Sequence, residues 1–388
     1  MDLSRWALSL TLCVASIAGA QQSATPTVDG RAQSQPAPDQ GPALSHRPAP
    51  PPGAPEGKMR LDVLVTDSAG QPVAGLQQQD FTLFDNKKPQ PILSFRAVSG
   101  SAGQVASADN GAAADPPVEV ILLMDATNNS MHNIAYERTQ IATFLRQNGG
   151  HLTQPVTLMV FSERGVMVQA QPSTDGNMLA NTLEKSDSTM HIVPMGAGYD
   201  AIERMQLSLK TLRTIAAAEM PRTGRKMLIW IGPGWPMLQG ARYEMSDKTQ
   251  KALFNLIVDA TRALREARIT MYHVNQADPA SLTRMDPDYY KEFLKGVSSV
   301  NRVESGDVAL PVFAIHSGGL VENRSYDLVQ DLNSCIAEAK AYYTLSFDPP
   351  GAEHTDEYHE LQVKVDKPNM KARTNAGYYS VPAFSPQR

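Results

Sequence analysis

The sequence predicts an α/β fold with a doubly wound, mostly parallel sheet flanked by helices, joined to a small β-sandwich. Three observations predict this fold. Residues 118–124 are apolar apart from Glu119, as in a strand buried on both faces. Similar short apolar runs alternate with helical patterns up to residue 340, which indicates βαβ units with right-handed crossovers. Short alternating strands separated by turns flank this region on both sides.

The composition is that of a folded protein and argues against nucleic-acid binding. The chain has 388 residues, more than one domain usually holds, and 42% of them are hydrophobic. The net charge is −5, and Lys and Arg are scattered rather than clustered on one face. Nucleic-acid-binding proteins carry a basic footprint that this chain lacks. We therefore expect no nucleic-acid partner.

The first 20 residues have the pattern of a secretory signal peptide. Residues 6–18 form a short apolar run that ends in the small residues Ala18-Gly19-Ala20, a cleavage-site pattern. The run is shorter than the ~20 residues that a membrane span needs, which argues against the alternative of an uncleaved anchor. We expect cleavage after Ala20, export to the periplasm or the cell exterior, and no membrane span in the mature chain.

The segment after the predicted cleavage site, residues 21–57, is rich in Pro, Ala, Gln and Ser. It has almost no large apolar residues, so burial cannot offset the entropy of ordering it, and we predict a disordered tether. Cleavage would remove Cys13 and leave Cys335 as the remaining cysteine, which excludes an intramolecular disulfide. Cys335 lies in a helical pattern and is predicted to be a buried small hydrophobe rather than a reactive thiol.

Two separate segments carry the signals of a β-sandwich. Residues 58–98 contain three or four short strands with tight turns, and residues 341–380 contain three more. Neither segment is large enough to bury a core alone, so we expect the two to complete one sandwich. The C-terminal strands are predicted at 341–347, 358–365 and 371–376.

Residues 118–340 are predicted to form the α/β domain, after a linker at 99–117 and before the C-terminal strands; residues 381–388 are a tail. Strands are predicted at 118–124, 156–161, 165–170, 226–231, 269–274 and 311–315. Helices are predicted at 134–147, 178–183, 199–218, 251–267 and 325–340, with a further helix in an insertion at 279–295.

A polar cluster directly follows the strand at 118–124. Ligands of open α/β sheets bind at the carboxyl ends of the strands, and this cluster lies at such an end. Gly232 and Trp235 follow the strand at 226–231 and should lie on the same edge. Trp230, Trp235 and the surrounding Gly-Pro-Gly-Trp-Pro run either form an apolar partner surface or pack the loop. The members of the polar cluster are Asp125, Thr127, Asn128, Asn129 and Ser130.

Several segments, in this order, carry a resemblance to a known family. They are LDVLVTDSAGQPVAGLQQQDFTLFDNKKPQPI, VILLMDATNN, GRKMLIWIGPGWP, ARITMYHVNQAD, AYYTLSFDPP and YHELQVKVDKPNMKARTNAGYY. Together they span roughly residues 58–380. The chain resembles acidobacterial-type secreted proteins with a von Willebrand factor type A-related domain. The resemblance implies a doubly wound sheet flanked by helices and a non-enzymatic binding module.

The resemblance also implies a metal-ion-dependent adhesion site, which is degenerate here. The family motif Asp-x-Ser-x-Ser corresponds to Asp125, Thr127 and Asn129, but the family Thr corresponds to Gly196. The strand that normally ends in a second Asp runs into Gly232. Mg²⁺ relies on carboxylate ligands, and one is left. Either the three remaining side chains bind Mg²⁺ or Mn²⁺, or they cap the next helix and fix the loop by hydrogen bonds.

We therefore expect an exported, non-enzymatic protein-binding module of the adhesion or scaffold type, with no obligatory cofactor. The alternatives are a metal-dependent adhesion protein with a working Mg²⁺ or Mn²⁺ site and a hydrolase-type enzyme. The sequence has neither a Gly-x-Ser-x-Gly nor a His-Glu-x-x-His motif, which argues against the enzyme. The partner-binding rim is predicted to comprise Asp125, Thr127, Asn129, Gly196, Gly232 and Trp235.

One further cluster contains the residue types of a metal site. His354, Asp356, Glu357 and His359 crowd the segment between two predicted strands. Imidazole and carboxylate groups at such close spacing can hold a transition metal. We nevertheless interpret the segment as a solvated hairpin tip, with the metal site as the alternative.

The signal peptide generates a direct prediction. We expect the exported protein to begin at Gln21, because small residues at Ala18 and Ala20 match the cleavage pattern. Amino-terminal sequencing of the exported product measures this. A variant with Ala18→Arg and Ala20→Arg should accumulate uncleaved. An exported wild-type product that still begins with Met1 would exclude cleavage.

Overall fold

The computed structural model describes residues 59–99, 116–169, 171–185, 199–235, 245–276, 287–323 and 325–380. The predicted signal peptide, tether, most of the linker, Gly196 and the tail lie outside these residues. The strands are β1 (Met59–Thr66), β2 (Phe81–Asp85), β3 (Lys88–Gln90), β4 (Ser94–Ser99), β5 (Glu119–Asp125), β6 (His151–Ser162), β7 (Gly165–Val168), β8 (Ser173–Asp175), β9 (Lys226–Ile231), β10 (Ile269–Val274), β11 (Val321–Glu322), β12 (Ala341–Phe347), β13 (Tyr358–Val365), β14 (Lys371–Arg373) and β15 (Gly377–Tyr379). The α-helices are α1 (Met131–Leu145), α2 (Gly176–Lys185), α3 (Tyr199–Glu219), α4 (Asp247–Glu266), α5 (Leu310–His316) and α6 (Leu328–Ala337).

The central sheet is mostly parallel, which confirms the predicted α/β class. Its strand order is β11-β10-β9-β5-β6-β7, and β8 also pairs with β6. The pairs from β11 to β6 are parallel, whereas β7 and β8 run antiparallel to β6. Every residue of β5, β9 and β10 is buried. These strands must therefore be covered on both faces.

Alternating residues of β5 supply two separate cores. Leu122 and its neighbours at every second position pack with apolar residues of α1, α2 and α6. Leu123 and its alternate neighbours pack with residues of α3, α4 and α5 on the other face. This arrangement follows from the period-2 direction of strand side chains. The helices thus form a layer on each side of the sheet.

The predicted strand at 311–315 is wrong, because these residues form helix α5 (Leu310–His316). The short apolar run Pro-Val-Phe-Ala-Ile fits a buried strand and a buried helix equally well. Pro311 lies in the first turn of α5, where its fixed φ suits a helix and its missing N–H costs no hydrogen bond. The sheet edge beside β10 is instead occupied by β11.

The N- and C-terminal segments pair with one another in two antiparallel sheets. The strand orders are β14-β1-β12-β4 and β15-β13-β2-β3. Both sheets contribute to one apolar core, in which Leu61, Leu83, Leu345 and Val363 are buried. Each terminal segment supplies strands to both sheets. The strand predicted at 371–376 is shorter, because β14 ends at Arg373, and the strand β15 that follows it was not predicted. The two lie in different sheets, since β14 pairs with β1 and β15 pairs with β13.

Buried polar contacts join these sheets to the α/β layers. Arg268 binds Asp62 with two hydrogen bonds, Nε to Oδ2 at 3.1 Å and Nη2 to Oδ1 at 2.7 Å. Burial by itself would raise the pKa of Asp62, but Arg268 outweighs it and holds this pKa below its ordinary value. At the end of α6, Glu338 accepts hydrogen bonds from Tyr272 and Arg373. The ion pairs thus bridge strands that are far apart in sequence.

Among the described helices, none combines the length and the apolar character that crossing a membrane requires.

The shared core generates a prediction about truncation. Deleting residues 356–388 removes β13, β14 and β15 and leaves β2 with β3 as a two-stranded hairpin, which is marginal in water. We expect faster chymotrypsin cleavage after Phe81 and Phe84, measured by mass spectrometry of early fragments. Deleting only 381–388 is the matched control and should leave protection intact. Unchanged protection of Phe81 in the long truncation would contradict a shared core.

Candidate functional site

The polar cluster predicted from the sequence lies at the carboxyl edge of the central sheet. Strand β5 ends at Asp125, and α1 begins at Met131 after a short loop. Because β5, β9 and β10 are parallel and in register, Gly232 and His273 lie close to the same edge. The cap of α1 is Ser130, whose hydroxyl accepts a hydrogen bond from the backbone N–H of Asn133 at 3.2 Å.

Asp125 is fully buried, and both of its carboxylate oxygens are occupied. Oδ1 accepts hydrogen bonds from the backbone N–H groups of Thr127 at 3.1 Å and Asn128 at 3.0 Å. Oδ2 accepts from Asn128 Nδ2 at 2.8 Å and Trp230 Nε1 at 2.9 Å. Burial raises the pKa of Asp125, although these four donors oppose the shift. The carboxylate thus fixes the conformation of the loop that follows β5 by hydrogen bonds.

The other two motif side chains are also buried and bonded to protein groups. Thr127 donates from its hydroxyl to the carbonyl of Phe161 at 3.5 Å. Asn129 donates from Nδ2 to Glu137 Oε1 at 2.8 Å, and its Oδ1 accepts from the backbone N–H of Ser130 at 3.0 Å. These hydrogen bonds fix the loop. Capping of α1, however, belongs to Ser130 and not to the three motif residues.

Glu137 is a buried acid in this site that the sequence reasoning missed. It lies on α1, and only 3% of its surface is exposed. Burial raises the pKa of Glu137 to about 8; the hydrogen bond from Asn129 opposes this, and the charge of Asp125 adds to it. In the part of the chain that the structure describes, no group makes a hydrogen bond to its Oε2 atom. Its position between Ile134 and Ile141, on the apolar stripe of α1, could have predicted this burial from the sequence.

Gly232 and His273 complete the buried part of the edge. Gly232 has a φ of 125°, and a Cβ there would lie 3.1 Å from the Asp125 Cβ, so a side chain would be strained and crowded. His273 Nε2 is 2.9 Å from the Gly232 carbonyl, to which its N–H donates. Burial lowers the pKa of His273 to about 4, so the ring is neutral at pH 7. Its burial within β10 gave no functional signal in the sequence.

Trp235 is a core residue and not a surface residue. It is 4% exposed, and its Nε1 donates to the carbonyl of Val308 at 2.8 Å. Its ring packs edge-on against Trp230 with centroids 5.6 Å apart, and it also contacts Phe313. Of the two sequence-based alternatives, the indole therefore packs the loop. Gly196, the remaining predicted rim residue, lies outside the described residues.

The exposed side chains of this edge are different ones. Met131 is 64% exposed, Tyr326 60% and Tyr136 38%. Gln276, just after β10, donates from Nε2 to the Tyr136 hydroxyl at 3.4 Å and to the Tyr326 carbonyl at 3.3 Å. The Tyr136 hydroxyl donates to the Tyr326 carbonyl at 3.5 Å. We call Met131, Tyr136, Gln276 and Tyr326 the tyrosine patch.

The interpretation of residues 354–359 as a solvated hairpin tip is wrong for His359, which is a buried residue of β13. Its Nδ1 lies 2.7 Å from Asp85 Oδ1, and Tyr378 donates to Asp85 Oδ2 at 2.6 Å. An acid–histidine pair of this kind supports nucleophilic catalysis only with a nucleophile on the other nitrogen. Among the described residues, none makes a hydrogen bond to His359 Nε2, and Glu357 Oε1 is 3.8 Å away. We therefore interpret the pair as a structural contact inside the sandwich, where it joins β13 to β2.

Two further observations concern metals and thiols. Within the described parts of the chain, no three His, Cys, Asp and Glu side chains group in a way that could hold a metal ion. Cys335 is fully buried and unpaired, as predicted. Burial raises the pKa of its thiol well above the ordinary value. The thiol is therefore protonated at pH 7 and unreactive.

Comparisons with known proteins identify no family. No family model matches the sequence, and no curated protein matches it. Among solved structures, the chain is similar to the human COPII-coat protein Sec24c, with 8% sequence identity and a TM-score of 0.32. The similarity covers 69% of this chain and 44% of the Sec24c chain. This chain therefore spans less than half of that protein, and a similarity this weak says nothing about its partner or activity.

The buried Glu137 generates a prediction about pH. Its folded pKa of about 8 lies above the ordinary value of 4.5, so the folded state binds more protons between these values. The stabilisation is complete below pH 4.5 and is lost as the pH rises through 8. Relative to Glu137→Gln, the wild-type free energy of unfolding should fall by about 2 kcal/mol between pH 6.5 and 8.5, because Glu137 loses its proton in the folded protein over this range. Urea unfolding at these two pH values measures the change.

Two variants serve as controls for this titration. Glu137→Gln keeps an acceptor for Asn129 without the ionisable carboxyl group, and its free energy of unfolding should not show this fall. Glu360→Gln removes an exposed carboxylate and should retain the wild-type slope. A slope that persists in Glu137→Gln would assign the pH dependence to another group.

Proposed function

We propose that this chain is an exported, non-enzymatic protein-binding module that acts without a bound metal ion. The observation that supports this proposal is a contrast between buried and exposed side chains at the carboxyl edge of the sheet. Asp125, the one carboxylate left from the motif, is buried among four internal donors, whereas Met131, Tyr136 and Tyr326 are exposed. On this proposal the fold is a von Willebrand factor type A-like one with a degenerate adhesion site.

The donor set argues against metal-dependent binding. An ion at Asp125 would have to displace hydrogen bonds from Asn128 and Trp230 inside a fully buried loop. Mg²⁺ keeps several of its waters and demands octahedral oxygen ligands, so it needs an open, carboxylate-rich site. The oxygens of Thr127 and Asn129 already make hydrogen bonds. The residue after β9, Gly232, has no side chain to offer.

The tyrosine patch supports the binding role. Tyr and Met are enriched in protein interfaces, where they combine apolar contact with low entropy cost or adaptability. None of Met131, Tyr136, Gln276 and Tyr326 carries a charge. The patch thus fits a partner protein with an apolar, uncharged pocket. The patch also lies at the carboxyl edge of the sheet, the edge at which open α/β sheets bind ligands.

The proposal is tested by affinity capture from the exported fraction of the source cells. We expect one partner protein to be captured by the wild type, and to stay bound in EDTA. The double variant Met131→Ala and Tyr136→Ala should lose most of it, because truncating side chains that anchor an interface, Tyr among them, removes about 2 kcal/mol or more. Quantitative mass spectrometry of the captured protein measures the loss.

The control and the contrary outcomes are specific. Met220→Ala truncates a methionine that is 42% exposed after α3, away from the patch, and should leave capture unchanged. Capture that disappears in EDTA and returns with Mg²⁺ or Mn²⁺ would favour the metal-dependent adhesion protein. Equal capture by the wild type and the double variant would place the binding surface elsewhere.

A further inference from the structure

A shallow groove runs along the outer face of α6. Its volume is about 430 Å³, within the range of ligand-binding sites. The residues from α6 and its cap recur at spacings of three or four, so they share one helix face. The ten residue steps from Asp327, the cap, to Ala337 give the groove a length of about 15 Å. Its polar lining consists of Gln71, Gln147, Asp327, Gln330, Asn333 and Ser334.

The groove contains hydrogen-bonding groups that the described structure leaves unused. The amide side chains of Gln71, Gln147, Gln330 and Asn333 make no hydrogen bond to another described residue. Each amide offers two donors and one acceptor with two lone pairs. Asp327 is partly used, because its Oδ1 accepts from the Gln330 backbone N–H at 3.0 Å. The groove therefore presents four amide side chains whose donors and acceptors are open to a ligand.

We propose that this groove binds a neutral saccharide. Sugar hydroxyl groups both donate and accept hydrogen bonds, as the amide side chains do. The described lining of the groove contains no Lys or Arg, so an anionic ligand has no counter-charge there, and one carboxylate, that of Asp327, is too little for a polycation. The charge and the chemistry together select an uncharged, hydroxyl-rich ligand.

The shape favours a saccharide over a peptide. A peptide docks by pairing with a strand edge or by placing apolar side chains in pockets. This groove lies on a helix face, and its apolar lining consists of Val329 and Ala337. An open, elongated trough suits a chain of sugar rings.

This inference stands apart from the proposed protein-binding function. The amides of the groove do not belong to the tyrosine patch, so either site can fail without the other. Tyr326 belongs to the tyrosine patch and is left unchanged in the test.

Isothermal titration calorimetry of the full chain tests the inference. The probes are chitohexaose, cellohexaose and maltohexaose, three neutral hexasaccharides with different linkages. We expect at least one to bind. The double variant Gln330→Ala and Asn333→Ala should weaken that binding at least about tenfold, or ~1.4 kcal/mol. Both residues are exposed, so the variant should melt at the wild-type temperature by circular dichroism.

A second pair and a control make the result decisive. Gln71→Ala with Gln147→Ala removes amides from other elements and should weaken binding as well. Gln362→Ala, an exposed glutamine on β13, should not. No heat with any of the three hexasaccharides would overturn the inference. So would undiminished binding in both double variants, or binding of a Gly-Ser octapeptide in place of the sugars.

Discussion

The burial of β5 on both faces is the constraint on which the rest of the molecule depends. All seven of its residues are buried, so the chain must place a helical layer on each side of the sheet. The polar residues at its two ends are buried with it and need partners inside the protein. Glu119 finds Arg222 and Thr157, and Asp125 finds the loop that follows it. Both polar networks are thus consequences of one buried strand.

The chemistry of the carboxyl edge follows from that burial. Asp125 is surrounded by N–H donors, and its neighbours Glu137 and His273 have pKa values shifted toward their neutral forms. The polar groups of this buried edge thus make their hydrogen bonds within the loop that follows β5. The exposed side chains Met131 and Tyr136 come from the first two turns of α1, the helix that follows this edge. Binding by side chains, without a metal ion, is consistent with this division.

Helix α6 contacts both the central sheet and the β-sheet that contains β14. Its inner face, with Leu328, Leu332 and Cys335, belongs to one core of the central sheet. Just past its end, Glu338 is bonded to Tyr272 of β10 and Arg373 of β14. Removing one partner of such a buried ion pair leaves an uncompensated charge, so these contacts couple the sheets strongly. With its position held on two sides, α6 displays the amide-lined groove on its outer face.

The sequence by itself determined the α/β class, the bounds of β9 and β10, and the place of Asp125 at a strand end. A continuous apolar run bounded by turns leaves few alternatives for such strands. Tertiary structure decided the rest. Residues 311–315 became a helix because a short apolar run has no period of its own, and the neighbouring layers select its conformation. Glu137 and His359 became buried, and Trp235 turned inward, because the burial of one side chain depends on residues distant in sequence. The amide groove is likewise assembled from three separate segments, and no local pattern records which of them will meet.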